Sequence, residues 1–158
     1  MIRLVPMTSA EFDRYRAGAV ESYAAAHIKA GDCEPQDALA LAEADYASLL
    51  PHGLASPGQH LFSIRTDASA EPIGMIWFEA REKRGRKSAF VYDFVIERPW
   101  RRKGYGEATM RALEGLVASM GVARISLNVM GWNHGAKALY DKAGFEVTGI
   151  GMTKAIDH

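Results

Sequence analysis

The stretch of the chain with the clearest chemical potential is a cationic turn containing two glycines separated by one residue. It follows an apolar segment ending at Ile96 and reads Arg101-Arg102-Lys103-Gly104-Tyr105-Gly106. The glycines let the backbone approach a ligand without a Cβ in the way. A helical pattern begins directly after them, and the unpaired N–H groups at a helix start favour negative charge. The sequence therefore predicts an anion site suited to a phosphorylated ligand.

Three glycine-rich motifs are relevant to phosphate binding, and two of them do not fit. A P-loop needs the run GxxxxGK followed by Ser or Thr, which the sequence lacks. A dinucleotide fingerprint needs Gly or Ala where this chain has Thr109, and the next apolar segment, from Ala123 to Val129, lacks the acidic residue expected for a ribose. The third motif, Q/R-x-x-G-x-G/A, matches at every fixed position from Arg101 to Gly106.

A second motif, N-x-x-A-x-x-L-Y-x-x-x-G-F, runs from Asn133 to Phe145. With these two motifs in this order, the chain resembles the GNAT superfamily of N-acetyltransferases. The resemblance implies acetyl-coenzyme A as co-substrate, a primary amine as acceptor, and direct attack in a ternary complex. The alternative on the same fold is a non-catalytic sensor or partner-binding module that binds acetyl-coenzyme A. The presence of Tyr140 in the second motif favours the enzyme.

The resemblance also implies roles for individual residues. The turn from Arg101 to Gly106 would hold the pyrophosphate, and backbone groups of Val95 and Ile96 would pair with the pantetheine arm. Asn133 would hydrogen-bond the same arm, although it also suits a simple helix cap. Tyr140 would protonate the departing thiolate, and the alternative is that its ring only packs. The seven residues between Asn133 and Tyr140 are about two helical turns, so both side chains share one face.

Asp93 is the candidate general base. It is a carboxylate within an otherwise apolar strand, where burial would raise its pKa and prepare it for proton transfer. Members of the family that the chain resembles often use a carboxylate on this strand. The competing interpretation is a structural anchor held by backbone N–H groups or by an arginine. Glu79 and Tyr92 are weaker candidates for the same role.

Hydrophobic periodicity predicts a single domain, residues 1–158, with the order βααβββαβαβ, and the resemblance implies that it is an N-acetyltransferase domain. We expect an α/β fold with a mixed, mostly antiparallel sheet and helices on both faces, and the resemblance implies that strands four and five splay apart. Thr8 or Ser9 is expected to cap the first helix, and Pro35 to lie in the first turn of the second. The segment from Phe145 to Met152 is expected to be the last strand.

Composition narrows the class of protein. No apolar run approaches the roughly 18 residues of a membrane span, so we expect no membrane partner. The single Cys33 allows no internal disulfide, which suits the cytoplasm. The five histidines, His27, His52, His60, His134 and His158, show no metal-ligand spacing, and no metal is expected. A homodimer is left open.

Charge is balanced overall but unevenly distributed. The first 79 residues carry six more acidic than basic residues, and the remainder carry six more basic than acidic ones. Five of the acidic residues surround the link between the first two helices, and they favour a cationic acceptor: Asp32, Glu34, Asp37, Glu43 and Asp45. The basic run from Arg81 to Lys87 is interpreted as a solvated hairpin tip, and no nucleic-acid partner is expected.

Overall fold

The computed structural model describes residues 1–157, which divide into two compact units, Met1–Asn128 and a second unit from Val129 onward. The first unit holds five strands and three helices, and the second holds one helix. In chain order the elements are β1 Ile2–Pro6, α1 Ser9–Ala30, α2 Ala38–Leu49, β2 Gln59–Thr66, β3 Gly74–Lys83, β4 Arg86–Ile96, α3 Tyr105–Ser119, β5 Arg124–Leu127 and α4 His134–Lys142. Short 3-10 turns lie at Gly53–Ala55 and Arg98–Trp100.

The sheet follows the order β1-β2-β3-β4-β5. Its first three pairings are antiparallel, and β4 with β5 is parallel. The pairing between β4 and β5 covers only Ser88 to Val91 on β4. Strand β5 ends at Leu127, opposite Val91, and β4 continues beyond it to Ile96. The predicted α/β fold with a mixed, mostly antiparallel sheet is confirmed, and the splay of strands four and five stays a prediction.

Both faces of the sheet are covered, because side chains alternate along β3 and are buried on either side. Met75 and Trp77 belong to a core that also contains residues of α1 and α2. Their neighbours Ile76 and Phe78 point to the opposite face by the period of two, and they are fully buried. Helix α3 packs against β1 and β4 and buries Thr109, Met110, Leu113 and Val117.

Local signals in the sequence place several boundaries correctly. Thr8 caps α1 through a capping box in which its hydroxyl accepts from the Glu11 N–H at 3.1 Å and the Glu11 carboxylate accepts from the Thr8 N–H at 3.0 Å. The turn between β3 and β4 is Arg84-Gly85, with φ of 54° and 76°. This confirms that the basic run lies at a hairpin tip, where left-handed residues give the turn its favoured twist.

Two predictions about elements are wrong. Pro35 lies in a turn before α2, which begins at Ala38 rather than around the proline. The segment from Phe145 to Met152 forms no strand. A strand needs a neighbour that completes its hydrogen bonds, and the described part of the unit from Val129 onward contains no strand to pair with. Gly149 and Gly151 within the segment further weaken its tendency to extend.

Candidate active site

The predicted anion site is a turn of unusual backbone conformation. Arg102 has φ of 63°, and Gly104, the N-cap residue of α3, has φ of 84°. A non-glycine residue with positive φ is uncommon and tends to persist at functional sites. The N–H of Ala108 donates to the Gly104 carbonyl at 3.1 Å. The helix ladder therefore starts there, and the helix start after Gly104 has the geometry of an anion site.

The cations of this turn are exposed, and two of them contact neighbouring residues of the chain. The Arg101 Nε donates to the Ile96 carbonyl oxygen at 2.7 Å, which ties the turn back to the end of β4. The Lys103 Nζ lies 5.6 Å from the centre of the Trp100 ring, within cation–π range. Trp100 in turn meets Tyr105 edge to face, with ring centres 5.9 Å apart. Positive charge is thus held next to the α3 N-terminus.

Strand β4 contains a β-bulge immediately before Asp93. Trp77 of β3 is opposite Asp93, but the next residue, Phe78, is opposite Val91, so Tyr92 is the extra residue. A bulge re-aims side chains and bends its strand. Tyr92 stacks on Trp77 with ring centres 4.7 Å apart. The bulge lies where the pairing with β5 has stopped, so it shapes the open part of β4.

The open edge of β4 runs from Tyr92 to Ile96, and no strand of residues 1–157 pairs with it on the β5 side. The Glu97 N–H donates at 2.7 Å to the carbonyl of Ile73, the residue before β3. Backbone bonds alternate along an antiparallel pair. Val95 therefore turns its backbone groups toward β3, and Ile96 turns its own toward the open edge, where its carbonyl accepts from Arg101.

Asp93 is held by two donors from different elements. The Tyr15 hydroxyl of α1 donates to Asp93 Oδ2 at 2.7 Å, and the backbone N–H of Phe94 also bonds the carboxylate. Burial raises the pKa of Asp93, and these two hydrogen bonds oppose the rise without cancelling it. The carboxylate is therefore fixed in place and protonates more readily than an exposed aspartate.

Aromatic side chains surround this carboxylate. Tyr46 of α2 lies 5.7 Å from Trp77 between ring centres. Burial is the first cause that raises the pKa of Tyr15, and the charge of Asp93 and the neighbouring Tyr46 raise it further. Burial also raises the pKa of Tyr46 to about 12. Both hydroxyls consequently stay protonated around neutral pH, and Tyr15 remains a donor to Asp93.

Glu79, the second carboxylate considered from the sequence, is in a different state. The Tyr92 hydroxyl donates to Glu79 Oε2 at 2.8 Å, and Arg81 Nη2 donates to the same oxygen at 3.1 Å. Burial raises the pKa of Glu79, but these bonds outweigh it and the net pKa is lowered. A carboxylate already paired with an arginine is a weaker proton acceptor than Asp93.

The second unit carries the two remaining predicted residues. Asn133 caps α4, with its Oδ1 accepting from the Ala136 N–H at 3.2 Å. Its amide NH₂ is a separate pair of donors, so capping leaves that group for another partner. Tyr140 lies in α4 with its ring 5.6 Å from the Phe145 ring, edge to face. Gly144 follows the helix with φ of 92°, the left-handed conformation typical of a helix end.

Two acidic residues of the link between α1 and α2 are hydrogen-bonded to neighbouring side chains. Asp32 Oδ2 lies 2.8 Å from His27 Nδ1, and Asp45 Oδ2 accepts from the Tyr23 hydroxyl at 3.0 Å. A cavity of about 120 Å³ opens beside them. Ligand pockets usually enclose ~300–1,000 Å³, so this cavity alone is too small for a substrate site.

Neither a metal site nor a membrane span is found in the described chain. Residues 1–157 contain no group of three or more His, Cys, Asp or Glu side chains placed to hold a metal ion. His158 lies outside the described residues. None of the helices in that range combines the length and apolarity that a membrane crossing needs.

Tyr15 is the neighbour of Asp93 that sequence reasoning missed. In the sequence it is one of several apolar positions of the first helix, and the partner carboxylate lies 78 positions away. Helical periodicity indicates which side of α1 faces the core. It does not indicate which strand residue a hydroxyl on that side will meet.

Comparisons with known proteins agree with this geometry. A model of the acetyltransferase (GNAT) family matches residues 20–145. The chain is 36% identical over 155 residues to the Bacillus subtilis (strain 168) protein named uncharacterized N-acetyltransferase YycN, a match that covers 98% of this chain and 99% of that protein. The crystal structure of YycN is similar with a TM-score of 0.94 at 35% identity, covering 100% of both chains.

A more distant structure is AAC(6')-Iy in complex with a bisubstrate analog, CoA-S-monomethyl-acetylneamine. It is similar with a TM-score of 0.63 at 14% identity, and the match covers 100% of this chain and 99% of that one. At this identity the likeness shows a shared fold and nothing about the acceptor.

Proposed function

The chain belongs to the acetyltransferase (GNAT) family, and we propose that it moves the acetyl group of acetyl-coenzyme A to a primary amine by direct attack in a ternary complex. The observation that carries this proposal is the arrangement of β4. One strand presents a partly buried carboxylate with a raised pKa, then an open backbone edge, and leads through Arg98–Trp100 into a cationic helix start.

The co-substrate would lie along these parts in order. The turn from Arg101 to Gly106 would take the pyrophosphate, because its cations and the α3 N-terminus both favour negative charge. The pantetheine arm would run along the open edge of β4, where the backbone groups of Ile96 could pair with it, whereas those of Val95 face β3. The Asn133 amide would be a further donor. The CoA analog carried by the related fold of AAC(6')-Iy supports a ligand of this class.

Asp93 would act as general base and Tyr140 as general acid. The amine nitrogen loses a proton to Asp93, directly or through water, and its lone pair forms the new C–N bond as the C–S bond breaks. Tyr140 gives its hydroxyl proton to the departing sulfur, and it regains a proton from solvent while Asp93 releases one. Each positioned proton transfer contributes on the order of 10²- to 10⁴-fold in rate, and holding the reactants together adds to this.

We also propose that the protein is cytoplasmic. Cys33 is a free, partly exposed thiol, and a reducing compartment keeps such a thiol from oxidation.

Release of free coenzyme A, followed with a thiol reagent, tests the proposal. The acceptors would be L-ornithine, spermidine, neamine, 2-phenylethylamine and a peptide with a free N-terminus. Turnover that depends on the amine and yields the acetylated product by mass spectrometry is expected for at least one of them. Binding of acetyl-coenzyme A by calorimetry without turnover of any amine would favour the sensor or partner-binding module instead.

A further inference from the structure

The Tyr15–Asp93 hydrogen bond connects α1 to β4 at the point where the bulge re-aims the strand. The bond is short, at 2.7 Å, and partly buried. A hydrogen bond to an ionised acceptor is about twice as strong as one between neutral groups. Because the donor belongs to a helix and the acceptor to a strand, the bond fixes the carboxylate relative to the helix that covers that face of the sheet.

The groups packed around Asp93 come from two helices and two strands. Helix α1 presents Tyr15, α2 presents Tyr46, and β3 places the uncharged Trp77 opposite. The strand itself supplies the Phe94 N–H. Among these groups, Tyr15 is the one whose side chain directly bonds the Asp93 carboxylate.

The formal charges nearest to this group are already engaged elsewhere. Arg16 follows Tyr15 on α1, and its charge opposes the rise in the pKa of Tyr46. Its guanidinium pairs with Glu43 at 3.1 Å. Arg81, which contacts the Tyr92 hydroxyl, pairs with Glu79 at 3.1 Å. The pKa of Asp93 is therefore set by burial, the Tyr15 hydroxyl and the Phe94 N–H, and not by a paired arginine.

We infer that Tyr15 is a positioning residue for acetyl transfer: its hydroxyl holds the Asp93 carboxylate in one orientation and keeps its ionised form ready to accept the proton of the acceptor amine. The inference rests on the proposed function, because it concerns the carboxylate assigned there as base. Tyr15 itself transfers no proton in this scheme. Its donor hydrogen stays on the hydroxyl throughout, since burial and the adjacent carboxylate both disfavour the phenolate.

Burial and the Tyr15 hydroxyl change the pKa of Asp93 in opposite directions, so loss of the hydroxyl should change this pKa in a predictable direction. Burial alone disfavours the charged carboxylate, and the Tyr15 hydroxyl stabilises it. Removing the hydroxyl should therefore raise the pKa of Asp93 further. A hydrogen bond to a charged group corresponds to a shift of about one to two pKa units.

Tyr15→Phe is the direct test, and Tyr23→Phe is its matched control. Tyr23 lies two turns later on the same helix, and its hydroxyl also donates to a carboxylate, that of Asp45. The pKa of Asp93 would be measured by carbon-13 NMR titration of the carboxyl group. The acidic limb of kcat/KM against pH would be measured with the best amine of the acceptor panel.

In Tyr15→Phe, the Asp93 pKa and the acidic limb should both move up by about one to two units, and neither should move in Tyr23→Phe. An unchanged Asp93 pKa would overturn the inference, and so would a raised pKa with an unmoved limb, because the hydroxyl would then be only structural. If Tyr15→Phe fails to fold, 3-fluorotyrosine at position 15 serves instead. It is a stronger donor and should lower both values.

The outcome can be separated from failure of the proposed function. Asp93→Asn with a wild-type acidic limb would remove Asp93 as base and would overturn the role of Tyr15 with it, while the NMR titration would still report the hydrogen bond. No turnover with any amine of the panel would overturn both. A limb that disappears in Asp93→Asn but does not move in Tyr15→Phe would overturn the role of Tyr15 alone.

Discussion

Gly74 of β3 lies directly against Val95 of β4, so closely that a Cβ at position 74 would collide with the Val95 carbonyl oxygen. The same Cβ would also lie 3.1 Å from the Ile96 Cα. The glycine therefore sets the spacing between β3 and the open part of β4, which the sequence presents only as a glycine inside an apolar strand.

Gly74→Ala should destabilise the fold because backbone atoms, unlike the end of a flexible side chain, cannot easily move aside. We expect a loss of about 1–3 kcal/mol, the usual cost of overpacking, measured as a lower urea midpoint. Gly18→Ala is the control, since a Cβ at this position of α1 meets nothing within 4 Å and alanine favours a helix. A midpoint for Gly74→Ala equal to or above that of the wild type would contradict the steric argument.

Substitution of the turn glycine should weaken binding of acetyl-coenzyme A. Gly104→Val forces a branched residue into φ of 84°, which costs about 1–2 kcal/mol and displaces the helix start from the pyrophosphate. Gly106→Val, in the first turn of α3, should weaken binding by placing a side chain against the same group. Calorimetry would give the dissociation constants.

Gly85→Val is the control for the turn, because Gly85 has φ of 76° at the hairpin tip and bears similar strain away from the anion site. Its affinity for acetyl-coenzyme A should match that of the wild type. Unchanged affinity in both Gly104→Val and Gly106→Val would remove this turn from the co-substrate site.

Asp93→Asn should lower kcat by on the order of 10²-fold, since asparagine cannot accept the amine proton. The pKa of Asp93 is raised in the fold. The wild-type rate should therefore fall as pH drops through a value above the ordinary ~3.9 of an aspartate, and the variant should lose this limb. Affinity for acetyl-coenzyme A should be unaffected.

Glu79→Gln distinguishes the two carboxylates. It should retain the acidic limb, because Glu79 has a lowered pKa and is paired with Arg81. A limb that disappears in Glu79→Gln and persists in Asp93→Asn would assign the base to β3 instead of β4.

Tyr140→Phe should reduce kcat by on the order of 10²-fold, because it removes one positioned proton donor and keeps the ring. The packing of the ring against Phe145 remains, and the affinity for acetyl-coenzyme A should change little. Near-normal kcat, with a rate insensitive to solvent viscosity and therefore limited by chemistry, would exclude the acid role.

Cationic acceptors should react faster than neutral ones, and added salt should reduce the preference by screening. Glu34 and Asp37 in the α1–α2 link are exposed, whereas Asp32, Glu43 and Asp45 already have partners. The double variant Glu34→Gln with Asp37→Asn should therefore lose part of the preference, measured as the ratio of kcat/KM for spermidine to that for 2-phenylethylamine. An unchanged ratio would contradict a role for these carboxylates in the preference for cationic acceptors.

The features predicted correctly from sequence are the ones that a few neighbouring residues decide. Thr8 and Glu11 are three positions apart, and their reciprocal bonds follow from that spacing alone. The order of the first nine elements follows from the period of the apolar residues.

The missed features depend on residues far apart in the chain. The Tyr15–Asp93 bond needs the docking of α1 on the sheet, and the bulge at Tyr92 appears only when β4 is laid against β3. The expected strand from Phe145 to Met152 had suitable residues but no neighbouring strand within its unit. Suitable residues make a segment able to form a strand, but the strand forms only where a neighbouring strand completes its hydrogen bonds.

The bulge at Tyr92 makes β4 one residue longer than β3 across the same stretch of ladder. Deleting residue 92 would give the two strands equal length, so the sheet has a way to absorb the loss. The same deletion would leave Trp77 opposite Asp93 and Phe78 opposite Val91, so Asp93 would keep the face on which it meets Tyr15. Only the Tyr92 ring, which stacks on Trp77, and its hydroxyl would be lost. An inserted residue thus gives the strand a way to change the side chains beside its carboxylate while the carboxylate itself stays in place.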